Sequence, residues 1–483
     1  MNIKEAKNEI KNAVRLYLKK EDGVYVFPVE SQRPIFLQGA PGVGKTAIMT
    51  QIAEEMDIAM VSYSMTHHTR QSALGLPVIR EKSFGGMECQ VSEYTMSEII
   101  ASVYETMEKS GKKEGILFLD EINCVSETLA PSMLLFLQYK IFGSFSLPEG
   151  WVVVTAGNPP QYNRSVREFD VVTLDRMRVI SVEEDFESWK EYAVGAGVHP
   201  AVLLYLDKKK QHFYMVENKA WEKNYVTARG WEDLSVVLRL SEKEGIAVTE
   251  HLVFQYLHQE EVAREFFAYY DTFRKLRDKY PVKEITEGNA GEMTKELAKN
   301  APFDERLALV QFLLDELGEK TGVINAKATR LASVAKLLAN KNASGDALLR
   351  GRIKENEERM QQLQAAGVLS LREKKKLVQE NEFMEVMLAQ RGEEEFASYI
   401  NEELSKAQNK VTGMQKMLET VMVFLEEIYS NGSEMLIFVT QLSLNRETSE
   451  FLLLFGSEAY NEKSKRLRLS DRGEALLRRT FEM

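Results

Sequence analysis

The stretch Gly39-Ala40-Pro41-Gly42-Val43-Gly44-Lys45-Thr46 satisfies the pattern G-x-x-x-x-G-K-[ST] at every fixed position. Pro34-Ile35-Phe36-Leu37-Gln38 leads into it, short and mostly apolar, as a buried parallel strand is. Residues 47–56 lead out of it with the character of a helix. Strand, glycine loop and helix, in that order, are the context a phosphate-binding loop requires. Glycines let backbone N–H groups close around phosphate oxygens with no Cβ in the way, and a helix N-terminus adds partial positive charge. Lys45 is then expected to reach the β- and γ-phosphates, and the Thr46 hydroxyl to hold magnesium.

A second anchor is Gly115-Ile116-Leu117-Phe118-Leu119-Asp120-Glu121. Four consecutive apolar residues predict a strand buried on both faces. Its two carboxylates emerge at the C-terminal end, where open α/β sheets place their ligands. Asp120 suits magnesium through its water shell, and Glu121 suits a base that orients and deprotonates water. A third strand, Trp151-Val152-Val153-Val154-Thr155-Ala156-Gly157, ends on the amide of Asn158, a candidate to hold the same water. Pro159-Pro160 follow, so a plain turn is the other reading of Asn158. Residues 58–63 and 179–182 are further strand candidates.

Around these, residues 2–20 predict a surface helix, with Ile3, Ala6, Ile10, Ala13, Val14 and Leu18 at helical spacing. Two short runs about Gly85-Gly86 predict a β-hairpin, and Thr95-Met96-Ser97-Glu98 reads as a capping box opening a helix. From about residue 184 the pattern turns helical. Thr227-Ala228-Arg229 opens one of these helices. An arginine in a first turn opposes the macrodipole, so Arg229 is either a solvated side chain or a group awaiting an anion. Beyond residue 275 neither strands nor chemical motifs appear; charged amphipathic helices predominate, with a helical hairpin turning near Ala366-Gly367-Val368. Residues 463–479 read as a charged helix or tail.

Composition sets the outer limits. At 483 residues the chain exceeds one small core and predicts two or three domains. A net charge of -11 disfavours bulk nucleic-acid binding, which depends on phosphate neutralisation. Two cysteines, Cys89 and Cys124, suit a reducing cytoplasmic setting and offer no disulfide framework. The adjacent pair His67-His68 does not place two imidazoles on one helix face. The apolar runs are too short to span a bilayer.

Taken together, these stretches resemble the AAA+ ATPases and, within them, the MoxR-like group with its dynein-related, AAA_5-type ATP-binding domain. The Walker A loop is residues 39–46, and the Walker B segment is Leu117-Phe118-Leu119-Asp120-Glu121-Ile122-Asn123. Asn158 is similar to sensor 1, and Leu174-Asp175-Arg176-Met177 to the arginine-finger segment. Thr227-Ala228-Arg229 looks like sensor 2. Residues 76–93 look like the helix-2 insert, and residues 139–150 like the pre-sensor 1 hairpin. The likeness covers roughly residues 20–275, with five elements in the family's order. Departures are Met177 where an aromatic is usual, Cys124 where many relatives carry arginine, and Ala228 where proline is common. Arg167 and Arg178 compete with Arg176 for the finger role.

The resemblance implies an α/β P-loop core, an αβα sandwich with a mainly parallel sheet, followed by a helical lid and a large all-α C-terminal region. It divides the chain into an N-terminal helix and lead-in (1–30), a nucleotide-binding domain (31–183), a lid (184–275) and a C-terminal helical domain with a hairpin (276–483). It implies ATP and Mg²⁺ as cofactors and a hexamer with ATP between subunits. Gly39, Ala40, Pro41, Gly42, Val43, Gly44, Lys45, Thr46 and Arg229 would bind ATP, and Thr46 and Asp120 the metal. Lys45, Glu121, Asn158 and Arg176 would carry catalysis. It also implies a protein client, remodelled, assembled or loaded with metal or cofactor, and a partner with a von Willebrand factor A domain. The alternative is a nucleic-acid-directed motor. Residues 76–93 and 139–150 carry only Arg80, Lys82 and Lys140 as basic residues, which argues against it.

Overall fold

The side chains of Ile116, Leu117, Phe118 and Leu119 are all fully buried, and they alternate between two cores. Ile116 and Phe118 join one, Leu117 and Leu119 the other. A strand covered on both faces must be apolar at every position, which is what the run Gly115–Asp120 supplies. The computed structural model describes residues 1–67, 73–85, 87–162, 166–218, 223–339, 343–365, 369–430 and 432–467. His68, Gly86, the expected turn at residues 366–368 and the tail beyond residue 467 lie outside them.

Two compact units divide the chain. The first is Met1–Ser188 with Gln361–Leu369, the second Trp189–Met360 with Ser370–Met483. In the first, helix α1 (Ile3–Tyr17) precedes strand β1 (Ile35–Gly39), helix α2 (Lys45–Met56) and strand β2 (Ala59–Ser64). An antiparallel hairpin follows, β3 (Pro77–Phe84) and β4 (Met87–Tyr94), then helix α3 (Glu98–Ser110) and strand β5 (Gly115–Asp120). Helix α4 (Ala130–Tyr139), strand β6 (Trp151–Gly157), the short helix α5 (Val171–Asp175) and strand β7 (Arg178–Val182) complete it. The sheet is parallel throughout, in the order β7-β1-β6-β5-β2. The order in which strands are added therefore reverses beside β1, and a crevice opens at the C-terminal ends of β1 and its neighbours.

The expected N-terminal helix forms and buries Ala6, Ile10, Ala13, Val14 and Tyr17 against the sheet. Its start is fixed by a capping box between Asn2 and Glu5. The helix expected to open at Thr95 instead begins at Glu98. Ser97 is its cap, accepting from the Ile100 N–H, while the Thr95 hydroxyl accepts from the Leu76 N–H and closes the base of the hairpin. The same hydroxyl cannot serve both ends.

The second unit is helical, with α6 (Phe186–Ala196) entering it, then α7 (Pro200–Lys208), α8 (Ala228–Glu244), α9 (Glu250–Leu257) and α10 (Glu260–Lys279). One strand pair interrupts them, Met215–Asn218 with Lys223–Val226, which periodicity did not single out because each strand is only four residues long. Further on, two long helices, Phe303–Leu338 and Phe396–Tyr429, share a core with Ser433–Leu444 and Arg446–Phe455. The helices Gly345–Ala365 and Leu371–Gln390 flank the expected hairpin turn. Between them the buried amides of Asn356 and Asn381 meet at 2.8 Å, a polar contact that fixes their register.

Candidate active site

The glycine loop takes the shape its sequence requires. Gly42 and Gly44 have φ of 79° and 94°, in the left-handed region where a Cβ would clash. Gly44 caps α2 with no side-chain hydrogen bond to its first turn, whose N–H groups are the kind that bind an anion. Lys45 follows and is 8% exposed. Its ammonium donates to the carbonyls of Gly39 and Ala40 and to Asn158 Oδ1, each at 2.8 Å. Three oxygens thus satisfy the donors of this buried side chain.

Thr46 Oγ1 donates to Asp120 Oδ2 at 2.9 Å, joining the start of α2 to the end of β5. These are hard oxygen donors of the kind Mg²⁺ takes one or two at a time, keeping its remaining waters. The residues fit a Mg²⁺-bound triphosphate: a ring of N–H groups, a buried ammonium, and a hydroxyl beside a carboxylate. Among the described residues, no group of three or more His, Cys, Asp or Glu could hold a metal ion by itself.

Glu121 leaves the strand in a left-handed conformation, φ 55° and ψ 36°. For a side chain other than glycine this stores on the order of 1–2 kcal/mol. The Glu121 N–H donates to Asp120 Oδ1 at 2.9 Å, which stabilises the turn. The Glu121 carboxylate is thereby carried toward β2, where Oε2 accepts from Ser64 Oγ and Thr66 Oγ1, both at 3.0 Å. The register explains the meeting, since β2 runs parallel to β5 with Ser64 opposite Asp120. Strand alignment of this kind was the missing signal: nothing in the residues around Ser64 and Thr66 marks them on their own.

Cys124 ends the turn Ile122–Cys124. Burial, then the charges of Glu121 and Asp120, push its thiol up, so it stands there neutral. Asn123, one residue earlier, is 4% exposed and donates from Nδ2 to the carbonyl of Asn158 at 2.8 Å.

The three arginines in competition differ in their partners. Arg167 donates to Glu127 at 2.5 Å, and Arg178 to Glu9 of α1 at 2.6 Å. Arg176 is exposed, and its hydrogen-bond partner is the neutral amide of Gln138 at 2.6 Å. Arg229 belongs to the second unit. It is exposed in the first turn of α8, whose cap is Thr227 accepting from the Gly230 N–H at 3.2 Å. One turn on, burial raises the Glu232 carboxyl, which accepts from Trp189 Nε1 at 2.8 Å.

The two inserts are also present. Residues Ile141–Phe142 pair with Phe145–Ser146, and β3 pairs with β4. Arg80 and Lys82 both face Glu93 across the larger hairpin as ion pairs. Lys140, the basic residue of residues 139–150, is 1% exposed and donates to the Leu137 carbonyl.

A five-stranded parallel sheet with a glycine loop after its first strand and an Asp-Glu pair after the strand two places away defines a P-loop nucleotide-binding core. Residues 35–167 match the family described as "ATPase family associated with various cellular activities (AAA)". That span holds the glycine loop, Asp120, Glu121 and Asn158. No curated protein matches the chain. Among solved structures, a protein of Cytophaga hutchinsonii described as a "putative ATPase" aligns at 16% identity over 40% of this chain, with a TM-score of 0.27. The alignment spans 50% of that protein's own chain. Among the described residues, no helix is long and apolar enough to cross a membrane.

Proposed function

We propose that the chain is a MoxR-like AAA+ ATPase, which binds ATP with Mg²⁺ and couples hydrolysis to remodelling, assembly or metal or cofactor insertion of a protein client. The observation that carries this reading is a pair of hydrogen-bonded sets, Lys45–Asn158 and Thr46–Asp120–Glu121, which start from adjacent residues of the loop. It gathers the residues of phosphate binding and water activation at the C-terminal ends of β1, β6 and β5. Phosphoryl transfer to water needs placement and charge stabilisation more than covalent help. The loop N–H groups and Lys45 bind the β- and γ-phosphates. Bound Mg²⁺, held by Thr46 and Asp120, would neutralise charge on those phosphates. Glu121 accepts the proton of the attacking water, and the Asn158 amide orients that water. Arg176, from a neighbouring copy in a hexameric ring, stabilises the charge of the transferring phosphoryl group. Arg229 reads the nucleotide from the lid.

In this proposal the domains divide at 31–183, 184–275 and 276–483, the protein works in the cytoplasm, and a von Willebrand factor A-domain protein is its partner. The compensation of Arg80 and Lys82 by Glu93, with Lys140 buried, favours a protein client over a nucleic acid. The test is Glu121→Gln. It should retain ATP affinity while turnover falls by about 10²–10⁴-fold, the range of a lost general base. Turnover at the wild-type rate would refute the reading.

A further inference from the structure

Asn123 is a polar side chain buried next to the proposed chemistry with no part in phosphate or metal binding. Its surroundings are specific. Nδ2 donates to the Asn158 carbonyl at 2.8 Å, and its own carbonyl accepts from the Arg167 N–H at 2.9 Å. The residue before Asn158 is Gly157, and a Cβ there would lie 2.4 Å from Asn123 Oδ1 and 2.6 Å from Cγ. The amide therefore occupies the volume that any other residue at position 157 would fill. Glycine is needed here for close approach, since β6 has ordinary extended backbone.

We propose that Asn123 is a positioning residue for hydrolysis, which locks the backbone of Asn158 to the turn that carries Glu121. The inference rests on the ATPase reading above. One residue, Ile122, separates Glu121 from Asn123, and one hydrogen bond joins Asn123 to Asn158, whose Oδ1 meets Lys45. The base, the water-orienting amide and the phosphate-binding lysine are thus held at fixed spacing by one buried amide. Without it, the Asn158 carbonyl loses its donor and the loop after β6 can shift. A displacement near 1 Å is enough to cost about 10²-fold in rate.

Three variants test this: Asn123→Leu, which keeps the side-chain shape without a donor; Gly157→Ala, which pushes the amide aside; and Asn123→Ala combined with Gly157→Ala, in which the new methyl fills the vacated space. Each should lower kcat by about 10–100-fold while ATP affinity stays within about twofold. The combined variant should melt higher than Asn123→Ala alone and still turn over slowly. Wild-type kcat in Asn123→Leu, or kcat restored with stability in the combined variant, would reduce Asn123 to packing and overturn the proposal. If the Asn123 variants do not fold, Gly157→Ala alone decides: a wild-type kcat overturns the proposal, and a lowered kcat at unchanged ATP affinity upholds it. Glu121→Gln, run in parallel, separates the two levels. A slow Glu121→Gln beside a fast Asn123→Leu removes only Asn123's role, whereas wild-type turnover in Glu121→Gln removes the ATPase reading itself.

Discussion

The Lys45 ammonium and the Asn158 side-chain oxygen meet at 2.8 Å, beyond the C-terminal ends of the paired strands β1 and β6. Lys45 is thus already placed beside the residue proposed to orient water, and held there by loop carbonyls. Replacing Lys45 with Met should weaken ATP binding by about 10–100-fold, the worth of one charge-assisted hydrogen bond. Thermal melting with and without ATP checks it. Wild type should gain melting temperature as ATP rises, because a ligand that binds only the folded state stabilises it. Lys45→Met should gain little over the same concentrations.

Ser64 and Thr66 both donate to Glu121 Oε2, so the carboxylate's orientation depends on two hydroxyls from β2 and the turn after it. Glu121 already carries left-handed backbone strain, and its side chain needs external support to keep one direction. Changing both hydroxyl residues to Ala should lower kcat about tenfold with ATP affinity unchanged, as loss of orientation without loss of binding does. Steady-state kinetics beside equilibrium binding would separate the two. An increase in kcat would mean that the hydroxyls restrain the base.

These contacts also mark where the sequence stopped being informative. The glycine loop, the strand ending in Asp120-Glu121 and the strand ending at Asn158 were legible because each combines an apolar run with polar residues at its end. The parallel character of the sheet follows from the same runs, while its strand order does not. Ser64, Thr66 and Gln138 were not legible, since their roles depend on which strand lies beside which. Asn123 lay inside a recognised segment, yet its target is 35 residues away and reached through a glycine whose value appears only in three dimensions. The burial of Lys140 was not legible either, because a lone lysine in a hairpin gives no sign of it. The short strands at Met215–Asn218 and Lys223–Val226 fall below the length at which a two-residue period can be told from chance.

Arg176 and Arg178 are two residues apart and differ in what restrains them. Arg178 is tied to Glu9 at 2.6 Å, while Arg176 hydrogen-bonds the neutral amide of Gln138 and interacts with the Asp170 charge without an ion-pair contact among the described residues. Arg176→Ala should therefore lower the turnover of assembled protein by about 10³-fold or more, as loss of an arginine finger does. Arg178→Ala should leave turnover near wild type and cost less than about 1 kcal/mol, because the pair is partly exposed. ATPase rates measured against protein concentration check both. A concentration-dependent rate in wild type that is lost in Arg176→Ala, but kept in Arg178→Ala, is the expected pattern.

Lys140 supplies a pH dependence. Burial pushes its ammonium down to about 8 from the ordinary 10.5, and the backbone there is left-handed with φ 60°. Below pH 8 the folded and unfolded chains both carry the charge, and folding bears the full penalty of burying it. Between pH 8 and 10.5 the unfolded chain binds more protons, so this residue's contribution to stability rises with pH. The whole span corresponds to about 3 kcal/mol. Lys140→Met removes the penalty but also the hydrogen bond to the Leu137 carbonyl, worth about 1 kcal/mol. At pH 7 the variant should be more stable than wild type by about 1–2 kcal/mol. Near pH 10 the difference should vanish or reverse, because wild type has by then shed most of its charge in the fold. Urea midpoints of the nucleotide-binding unit at the two pH values measure this directly, and a difference that stays constant between them would show that Lys140 is solvated rather than buried.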